Sequence, residues 1–563
     1  MPTLEISKKD LEKLAGVKIT DETLMLAKAE IESKQADTLK LEIADTNRPD
    51  LWSTEGIARE IKGKFTEIKT SKSGLKVIVD KNLKDIRPKT VCAVIKNIKL
   101  NQQSLNQLIQ LQEKICETFG RKRKEVAIGV YDYDKIKSPI RYKAFAPEEI
   151  EFMPLRTESD QRPVAGSPAT MPLETKNLLT LSQILKQHPK GKEYAHLLQG
   201  KSRYPIFMDE NQEILSMPPI INSDYTGKVT TKTKNLFIEC SGFDFRFLEP
   251  ALNTLVYALA QRGGKIQTVE IIYQEKTIIT PNLKPKTTTL NVTYFNKRSG
   301  LGLTRTQIVS LLNKSSYKLK SSLKNNLILH YPAYRQDIMH QADVVEDLII
   351  RCGYNKIKPV TPELATTGKL LPIQEFQHKT AEFLIGLGVQ EVINYTLTNK
   401  ENLFKKMNIT PQETIEIENP VSKNWSVFRN WITPCLMEFL SKNIKKEYPQ
   451  KIFEVGQVII PDKKAETRSK NPTHLAYAHT SKTTDFTKVK QAFDFLMDNL
   501  GLTYKIEETT HDSFISGRVG RVIINNKPVA YIGEIHPKVL QNWGIRMPVT
   551  IFELNLSDLL GLM

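Results

Sequence analysis

Residues 334–347 read YRQDIMHQADVVED, and these residue types decide the local fold more sharply than any other stretch of the chain. Asp343 is followed three residues later by Glu346, just before an apolar run, which is the pattern of a helix N-terminus. An aspartate there accepts hydrogen bonds from unpaired N–H groups, and acidic residues suit the positive end of the helix dipole. We therefore predict a helix over residues 344–352 that Asp343 caps.

The same stretch contains two further carboxylates, Asp337 and Asp347. Together the four acids offer hard oxygen ligands on a turn and on the first turn of a helix, and such ligands suit Mg²⁺ or Ca²⁺. The residue types leave two interpretations open, a capped helix and a divalent-metal site. These interpretations do not exclude each other.

Upstream, residues 1–90 are predicted to form an N-terminal α/β domain that opens with a helix. The alternating residues 38–43 predict a half-buried strand, and the periodicity of residues 54–62 predicts a helix. Between them, Asn47-Arg48-Pro49-Asp50 is interpreted as a rigid turn with an Arg–Asp pair. Lysine-rich residues 81–90 indicate a domain boundary.

Residues 91–270 form a second predicted domain of mixed helices and strands. Its polar, proline-bearing residues 157–174 are predicted to be a flexible insertion. The double proline within residues 215–223 by itself indicates an edge or a wall rather than a pocket. Periodicity predicts helices at 101–119 and 248–261 and strands at 126–130 and 236–240.

The remaining chain divides into two further predicted domains. Residues 271–355 combine small elements in an order that resembles a winged-helix module, and residues 356–563 alternate longer helices and strands. The chain as a whole is therefore predicted to be an α+β multidomain protein. The main predicted elements are strands at 290–294, 327–331, 451–460, 519–525 and 549–554 and helices at 304–312 and 373–385.

The 563-residue chain is strongly basic, with 81 Lys and Arg against 63 Asp and Glu and a formal net charge of +18. A hydrophobic content of 40% and a charged content of 26% exclude a wholly disordered or fibrous chain. Excess positive charge attracts polyanions, above all nucleic acid, and is equally compatible with a solvated lysine-rich surface.

Several classes of protein and site are unexpected here. The sequence lacks an apolar run of about 18 residues and an N-terminal signal peptide, so we expect a cytoplasmic protein without a membrane span. Its five cysteines lie far apart without a CxxC motif, which argues against a disulfide framework or a zinc site. P-loop, HExxH, GxSxG and kinase motifs are absent from the sequence.

Several multi-residue segments, in this order and spacing, resemble the β subunit of phenylalanyl-tRNA synthetase of the archaeal and eukaryotic type. The resemblance covers nearly the whole chain. The segments are MPTLEIS, DTNRPDLWSTEGIAREI, GRKRKEVAIGVYDYDKI, HPKGKEYAHLL, MPPIINSDYTGKV, YRQDIMHQADVVEDLIIRCGYNKI, FEVGQVI and GEIHPKVLQNWGI.

The resemblance implies a heterotetramer of two α and two β chains that attaches phenylalanine to tRNA(Phe), with the ATP and phenylalanine sites on the α subunit. It also implies Mg²⁺ as a cofactor, held at Asp337, Asp343, Glu346 and Asp347. Residues 356–563 would be a class II synthetase-like antiparallel-sheet domain without catalysis. The sequence agrees, because Arg429 lacks the acidic residue that an active class II site places after its arginine.

The resemblance further implies that residues 91–270 are an editing domain that hydrolyses tyrosine mischarged onto tRNA(Phe), because a pocket for phenylalanine rejects an added hydroxyl poorly. The candidate editing residues are Ser223, Glu239 and Ser241, in a pocket lined by residues 215–223 and 236–242. Archaeal members tend to have Asp-Val-Thr-Gly where this chain has Glu239-Cys240-Ser241-Gly242. A longer acid and a lost methyl group are expected to alter the contact with the tyrosine hydroxyl.

Two rival functions remain open at this point: a freestanding RNA-binding protein and a freestanding hydrolase of mischarged tRNA. Neither the residues nor the resemblance assigns particular lysines or arginines to tRNA binding.

Overall fold

The computed structural model describes residues 2–155 and 178–563. The chain divides into two compact units, Met1–Val360 and Thr361–Met563. The mixture of sheets and helices in both units confirms the predicted α and β multidomain character. The predicted flexible insertion, residues 157–174, lies outside the described residues.

The chain begins with a small antiparallel sheet in the order β1-β3-β2. The predicted opening helix is wrong for the first residues, because Leu4 and Ile6 alternate into the core as a strand and Ser7 then caps the first helix. The strand predicted at 38–43 and the helix predicted at 54–62 are confirmed. The elements are β1 (Thr3–Ser7), α1 (Lys8–Ala15), α2 (Asp21–Met25), β2 (Ala29–Gln35), β3 (Thr38–Ile43) and α3 (Thr54–Lys62).

A large mixed sheet forms the middle of the first unit, and within the described ranges it has ten strands. Its path is β12-β11-β10-β7-β4-β14-β5-β13-β6, with β15 beside β14 and the pair β8–β9 apart from it. The elements are β4 (Ser71–Val79), β5 (Lys89–Lys96), α4 (Gln102–Lys114), β6 (Val126–Asp132), β7 (Ile140–Phe145), β8 (Glu151–Phe152), β9 (Leu179–Thr180), α5 (Leu181–Gln187), α6 (Pro189–Tyr194), β10 (Tyr204–Met208), β11 (Ile214–Met217), β12 (Ile221–Asn222), α7 (Asp224–Gly227), β13 (Leu236–Gly242), α8 (Phe245–Gln261), β14 (Lys265–Ile272) and β15 (Thr277–Thr280).

Strand β13 lies inside this sheet and is buried along its whole length. It pairs antiparallel with β5 and β6, and this register puts Glu239 opposite Gly129 of β6. Helix α4 passes through a π-helical turn, Ile115–Phe119, before the chain enters β6. Glu239 of β13 therefore lies against strand β6 and close to α4.

The last part of the first unit is a three-stranded sheet, in the order β16-β18-β17, packed by three helices around a separate hydrophobic core. The strand predicted at 290–294 ends earlier, because the Asn291 side chain accepts a hydrogen bond from the Tyr294 N–H and starts a helix. The elements are β16 (Lys286–Asn291), α9 (Val292–Ser299), α10 (Arg305–Asn313), β17 (Lys318–Leu323), β18 (Asn326–Tyr331) and α11 (Gln341–Cys352).

The second unit contains a seven-stranded sheet in the order β19-β22-β25-β29-β28-β27-β26, antiparallel except for β19–β22. Consecutive residues of β22, such as Ile452 and Phe453, pack into two different hydrophobic clusters. Its elements are α12 (Pro372–Gly386), β19 (Gln390–Glu391), β20 (Leu397–Thr398), β21 (Val427–Phe428), α13 (Thr433–Lys442), β22 (Gln450–Gln457), β23 (Ile460–Pro461), β24 (Ser469–Lys470), β25 (Thr473–Thr480), α14 (Phe486–Leu500), β26 (Lys505–Glu508), β27 (Phe514–Ile524), β28 (Lys527–Ile535), α15 (Pro537–Trp543), β29 (Val549–Asn555) and α16 (Leu556–Leu560).

The helix predicted at 373–385 and the strands predicted at 519–525 and 549–554 are confirmed in the second unit. The strand predicted at 451–460 ends at Gln457. Among the described residues, none of the helices has both the length and the apolar character needed to cross a membrane.

Candidate functional site

A cavity of about 600 Å³ lies in the first unit between α4, β6 and the loop that carries the double proline. A volume of this size is in the range of small-molecule sites. Its walls combine apolar residues with polar and charged ones. The polar and charged lining residues are Gln102, Asn106, Gln112, Glu113, Arg123, Lys190, Ser216, Asn222, Lys228 and Glu239.

Glu239 is the buried acid of this cavity, with 2% of its surface exposed. Its Oε1 lies 3.2 Å from the Tyr131 hydroxyl, which also lies 2.7 Å from Ser216 Oγ. Its Oε2 is buried and has no hydrogen-bond partner in the part of the chain that is described. Burial raises the pKa of Glu239 to about 8, although the charge of Arg87 opposes the rise. The site therefore holds a mostly neutral carboxyl group beside the hydroxyls of Tyr131 and Ser241.

The contact between Tyr131 and Glu239 depends on a glycine in β6. A Cβ atom at Gly129 would lie 2.0 Å from the Tyr131 hydroxyl oxygen. Tyr131 is fully buried, so its ring has little room to move away. Sequence reasoning did not identify Tyr131 as a site residue, although the alternation of Gly129 and Tyr131 in VAIGVYD places both on one face of a strand.

The other two candidate editing residues do not line the cavity. Ser241 is fully buried, and Arg87 donates from Nε to its hydroxyl oxygen at 3.0 Å and from a terminal nitrogen to its carbonyl. Ser223 caps the short helix α7, with its Oγ 2.9 Å from Thr226 Oγ1. Both hydroxyls hold the cavity walls in place, and of the three candidates Glu239 alone faces the cavity.

The loop of residues 216–222 contributes much of the wall, including Pro218 and Pro219. Its double proline therefore belongs to a pocket, contrary to what the residues by themselves indicated. From the strand 236–242, the cavity lining includes Glu239 within the described residues.

The turn at residues 47–50 and the acidic stretch at 334–347 meet in a buried ion-pair network. Arg48 binds both carboxylate oxygens of Asp50 at 2.9 Å and Glu60 at 2.8 Å, as the predicted Arg–Asp pair requires. Arg335 binds both oxygens of Asp337 at 2.8 and 2.6 Å. Arg48 Nε also lies 3.8 Å from Asp337 Oδ1, so the two sequence motifs form one cluster.

Two of the four predicted metal ligands, Asp337 and Asp347, already bind Arg335 in this network. Asp347 Oδ2 accepts from Arg335 at 2.8 Å and from the Tyr317 hydroxyl at 2.6 Å. Burial would raise the pKa of Asp337, but the guanidinium charges of Arg335 and Arg48 outweigh it and hold the pKa at about 2. Arg335 thus engages both oxygens of Asp337 and one oxygen of Asp347, which makes these two acids poorer metal ligands in this arrangement.

The other two acids lie nearer the surface. His340, rather than Asp343, caps α11, and Asp343 Oδ2 accepts from the backbone N–H groups of Met339 and His340 at 2.7 Å each. The helix starts at Gln341 because Asp343 reaches back from its third position to complete a capping box. Glu346 Oε1 binds Lys28 at 2.9 Å.

Each of these two acids keeps a second oxygen without a hydrogen bond among residues 2–155 and 178–563. Asp343 and Glu346 therefore fit a cation better than the buried pair does. Across those residues, however, acids, histidines and cysteines do not gather in threes in a metal-binding arrangement.

The second unit pairs its class II-like arginine internally. Arg429 donates to Glu454 Oε1 at 2.5 Å and to the Gln457 carbonyl at 3.0 Å, and Glu454 is 2% exposed. The acidic partner that the sequence lacks after Arg429 thus comes from strand β22. A guanidinium neutralised in this way is unavailable for a nucleotide phosphate.

Comparisons with known proteins give a consistent result. A sequence profile described as "Phenylalanyl tRNA synthetase beta chain CLM domain" matches residues 357–556, and one described as "tRNA synthetase B5 domain" matches residues 288–354. The phenylalanine–tRNA ligase beta subunits of Pyrococcus abyssi and Pyrococcus horikoshii are each 44% identical over 573 residues, covering 99% of this chain and 100% of those proteins. The crystal structure of an N-terminal fragment of the Pyrococcus horikoshii phenylalanyl-tRNA synthetase beta subunit is 43% identical, with a TM-score of 0.58, and covers 63% of this chain and 100% of that one.

Proposed function

The chain belongs to the family of phenylalanine–tRNA ligase beta subunits, and from this premise we propose that it works in a heterotetramer of two α and two β chains. The assembled enzyme converts ATP, L-phenylalanine and tRNA(Phe) to AMP, pyrophosphate and Phe-tRNA(Phe). The identity of 44% over 99% of the chain supports this function. Co-purification with an α-type synthetase chain tests it against a freestanding RNA-binding protein, which would purify as a monomer.

Synthesis is assigned to the α subunit, where ATP binds as a substrate. The buried pair of Arg429 and Glu454 supports this assignment, because an arginine clamp must be free to position ATP for attack. This chain would contribute tRNA binding and structural support in the cytoplasm.

Four functional regions follow from the proposal. Residues 1–90 correspond to the N-terminal α/β domain and residues 91–270 to the editing domain, but β4 and β15 extend the sheet of the second domain beyond both of these boundaries. Residues 271–355 form a winged-helix-like domain, which is supported by its separate core and by the strand and helix order. Residues 356–563 form the class II synthetase-like domain without catalysis.

The editing function is supported chiefly by the free, buried oxygen of Glu239 in a cavity of about 600 Å³. A tyrosine hydroxyl can pair with this oxygen, whereas a phenylalanine ring leaves it unpaired. An unpaired buried polar group costs roughly 1–3 kcal/mol. The cavity therefore favours the mischarged amino acid over the correct one, as an editing site must.

The test is the hydrolysis of Tyr-tRNA(Phe) by the assembled enzyme, with Phe-tRNA(Phe) as the comparison. We expect faster loss of the tyrosyl ester than of the phenylalanyl ester. Decay of Tyr-tRNA(Phe) at the spontaneous rate would exclude editing. Hydrolysis by the isolated chain would instead favour a freestanding hydrolase of mischarged tRNA.

Magnesium is the proposed cofactor at the acidic stretch. Asp343 and Glu346, which are accessible and keep unused oxygens, would hold the ion, while Asp337 and Asp347 would join only after leaving Arg335. When bound, the ion would offset the negative charge that Asp343 and Glu346 add to the start of helix α11.

A further inference from the structure

The mouth of the cavity carries a strained basic turn, residues 121–124, with the sequence Arg121-Lys122-Arg123-Lys124. Three consecutive residues adopt left-handed backbone conformations, with φ of 50° at Arg121, 53° at Lys122 and 64° at Arg123. For residues other than glycine this conformation costs roughly 1–2 kcal/mol each. Such strain persists where the surroundings over-determine it, typically at functional sites.

The turn is tied to the cavity wall through Arg123. Its Nη1 donates to the carbonyls of Pro219 at 3.2 Å and Ile220 at 2.8 Å. Its guanidinium lies 4.2 Å from the centre of the Tyr194 ring. Arg123 also lines the cavity, and its Nε is buried without a hydrogen-bond partner among the described residues. The position of the basic turn is therefore fixed relative to the cavity.

The other residues of the turn point their charge into solvent. Lys122 and Lys124 are exposed, and neither forms an ion pair within residues 2–155 and 178–563. The Arg121 side chain is 70% exposed and lies 3.9 Å from Glu125. Lys228 is exposed and lines the cavity.

The acidic residues near the cavity mouth neutralise only part of the positive charge of the basic turn and Lys228. Glu193 pairs with Lys190 at 2.9 Å, and Glu117 accepts from the Tyr194 hydroxyl at 2.5 Å. Glu113 lines the cavity as well. Lys122, Lys124 and Lys228 are left as cations without an acidic partner in the described ranges.

We propose that the basic turn and Lys228 bind phosphates of the single-stranded 3′ end of an aminoacylated tRNA. This inference rests on the proposed editing function. The amino acid is esterified to the last ribose, so it can reach Glu239 only if the final phosphates pass the cavity mouth. Lysine and arginine side chains bind phosphate by charge. The contacts would come from the side chains, because the backbone N–H groups of residues 121–125 already donate to backbone carbonyls.

The experiment uses the assembled α and β enzyme with Tyr-tRNA(Phe), and compares Lys122→Gln/Lys124→Gln with wild type. Each lysine contributes about 0.7 to the slope of log affinity against log salt for a single strand. We expect KM to rise several-fold at low salt, the slope for kcat/KM to fall by about 1.4, and kcat to stay unchanged. Lys72→Gln/Lys76→Gln is the matched control, because both lysines are exposed on β4 and do not line the cavity.

Equal KM and salt slope in the variant and in wild type would overturn the inference, as would an equal effect of the control. Failure of editing itself is a different outcome, in which wild type leaves Tyr-tRNA(Phe) intact. A second experiment then tests the contact directly by measuring whether tRNA protects the lysines from an amine-reactive reagent. Intact tRNA(Phe) should protect Lys122 and Lys124, and tRNA lacking its last four nucleotides should not; equal labelling would refute the contact.

Discussion

Substitution of Glu239 distinguishes a role for its neutral carboxyl group from a role for its carboxylate in the proposed editing reaction. Glu239→Gln keeps the shape and hydrogen bonding of a neutral carboxyl, and Glu239→Leu removes hydrogen bonding at similar volume. Because burial raises the pKa to about 8, the group is mostly protonated near neutral pH. We therefore expect Glu239→Gln to retain most hydrolysis of Tyr-tRNA(Phe) and Glu239→Leu to lose it.

The magnitude follows from the buried, unpaired oxygen of Glu239. Losing the partner of a buried hydroxyl costs roughly 1–3 kcal/mol, which lowers kcat/KM about 5- to 150-fold in Glu239→Leu. A rise of the pKa from 4.5 to about 8 disfavours the ionised form by roughly 5 kcal/mol. Above pH 8 wild-type Glu239 becomes ionised, so its kcat/KM should change with pH while that of Glu239→Gln stays level.

The same group links stability to pH. Its folded pKa lies above its ordinary value, so its stabilising contribution is complete below about pH 4.5 and is lost as pH rises to about 8. Glu239→Gln has no such titration and should gain relative stability over this range.

The assay measures release of tyrosine from Tyr-tRNA(Phe) by the assembled enzyme between pH 6 and 9, corrected for spontaneous hydrolysis. Glu210→Gln is the matched control, since Glu210 is exposed and does not line the cavity. Equal impairment of Glu239→Gln and Glu239→Leu would refute the neutral-carboxyl reasoning. Full activity of both Glu239 variants would show that Glu239 is not part of the site.

Three further predictions concern the ion-pair network, the metal and the strand glycine. Arg335→Met removes the guanidinium that both Asp337 and Asp347 bind, leaving Asp337 with Arg48 at 3.8 Å and Asp347 with the Tyr317 hydroxyl. It should destabilise the following helix by up to roughly 3–5 kcal/mol, measured by amide hydrogen exchange; a loss under about 1 kcal/mol would contradict this. Asp343→Asn/Glu346→Gln should lose bound Mg²⁺ in equilibrium dialysis while the fold persists, and unchanged metal content would defeat the site. Gly129→Ala forces Tyr131 from its position, so hydrolysis of Tyr-tRNA(Phe) should fall, and wild-type activity would show that Tyr131 is dispensable.

Local pattern was sufficient to predict elements whose own residues carry the signal. The helix at 54–62 has a capping serine before it and a glycine after it, so neighbouring residues mark both of its ends. The first strand was missed because Thr3–Ser7 is short and continues directly into α1. Its pairing partner, β3, lies more than thirty residues away, and such pairing has no local signature.

The site was predictable only in part for the same reason. The resemblance identified Glu239, but its environment comes from Tyr131 and Ser216, which are distant in sequence. The acids by themselves left a capped helix and a metal site open, and the resemblance implied the four metal ligands. It could not show that Arg335 and Tyr317 would occupy two of them, because those contacts form only when Tyr317, just before β17, and the loop after β18 pack against α11.

The internal pair in the second unit supports, in energetic terms, the proposal that synthesis takes place on another subunit. A nucleotide phosphate would have to displace Glu454 from Arg429, leaving a carboxylate that is 2% exposed without its partner. Breaking a buried pair in this way costs roughly 3–5 kcal/mol, which would weaken nucleotide binding more than a hundredfold. Asn394 adds a further hydrogen bond to Glu454 at 2.7 Å, so the acid is held in place from two sides. Selection for ATP binding would oppose such a pair, whereas a scaffold subunit is stabilised by its satisfied polar groups.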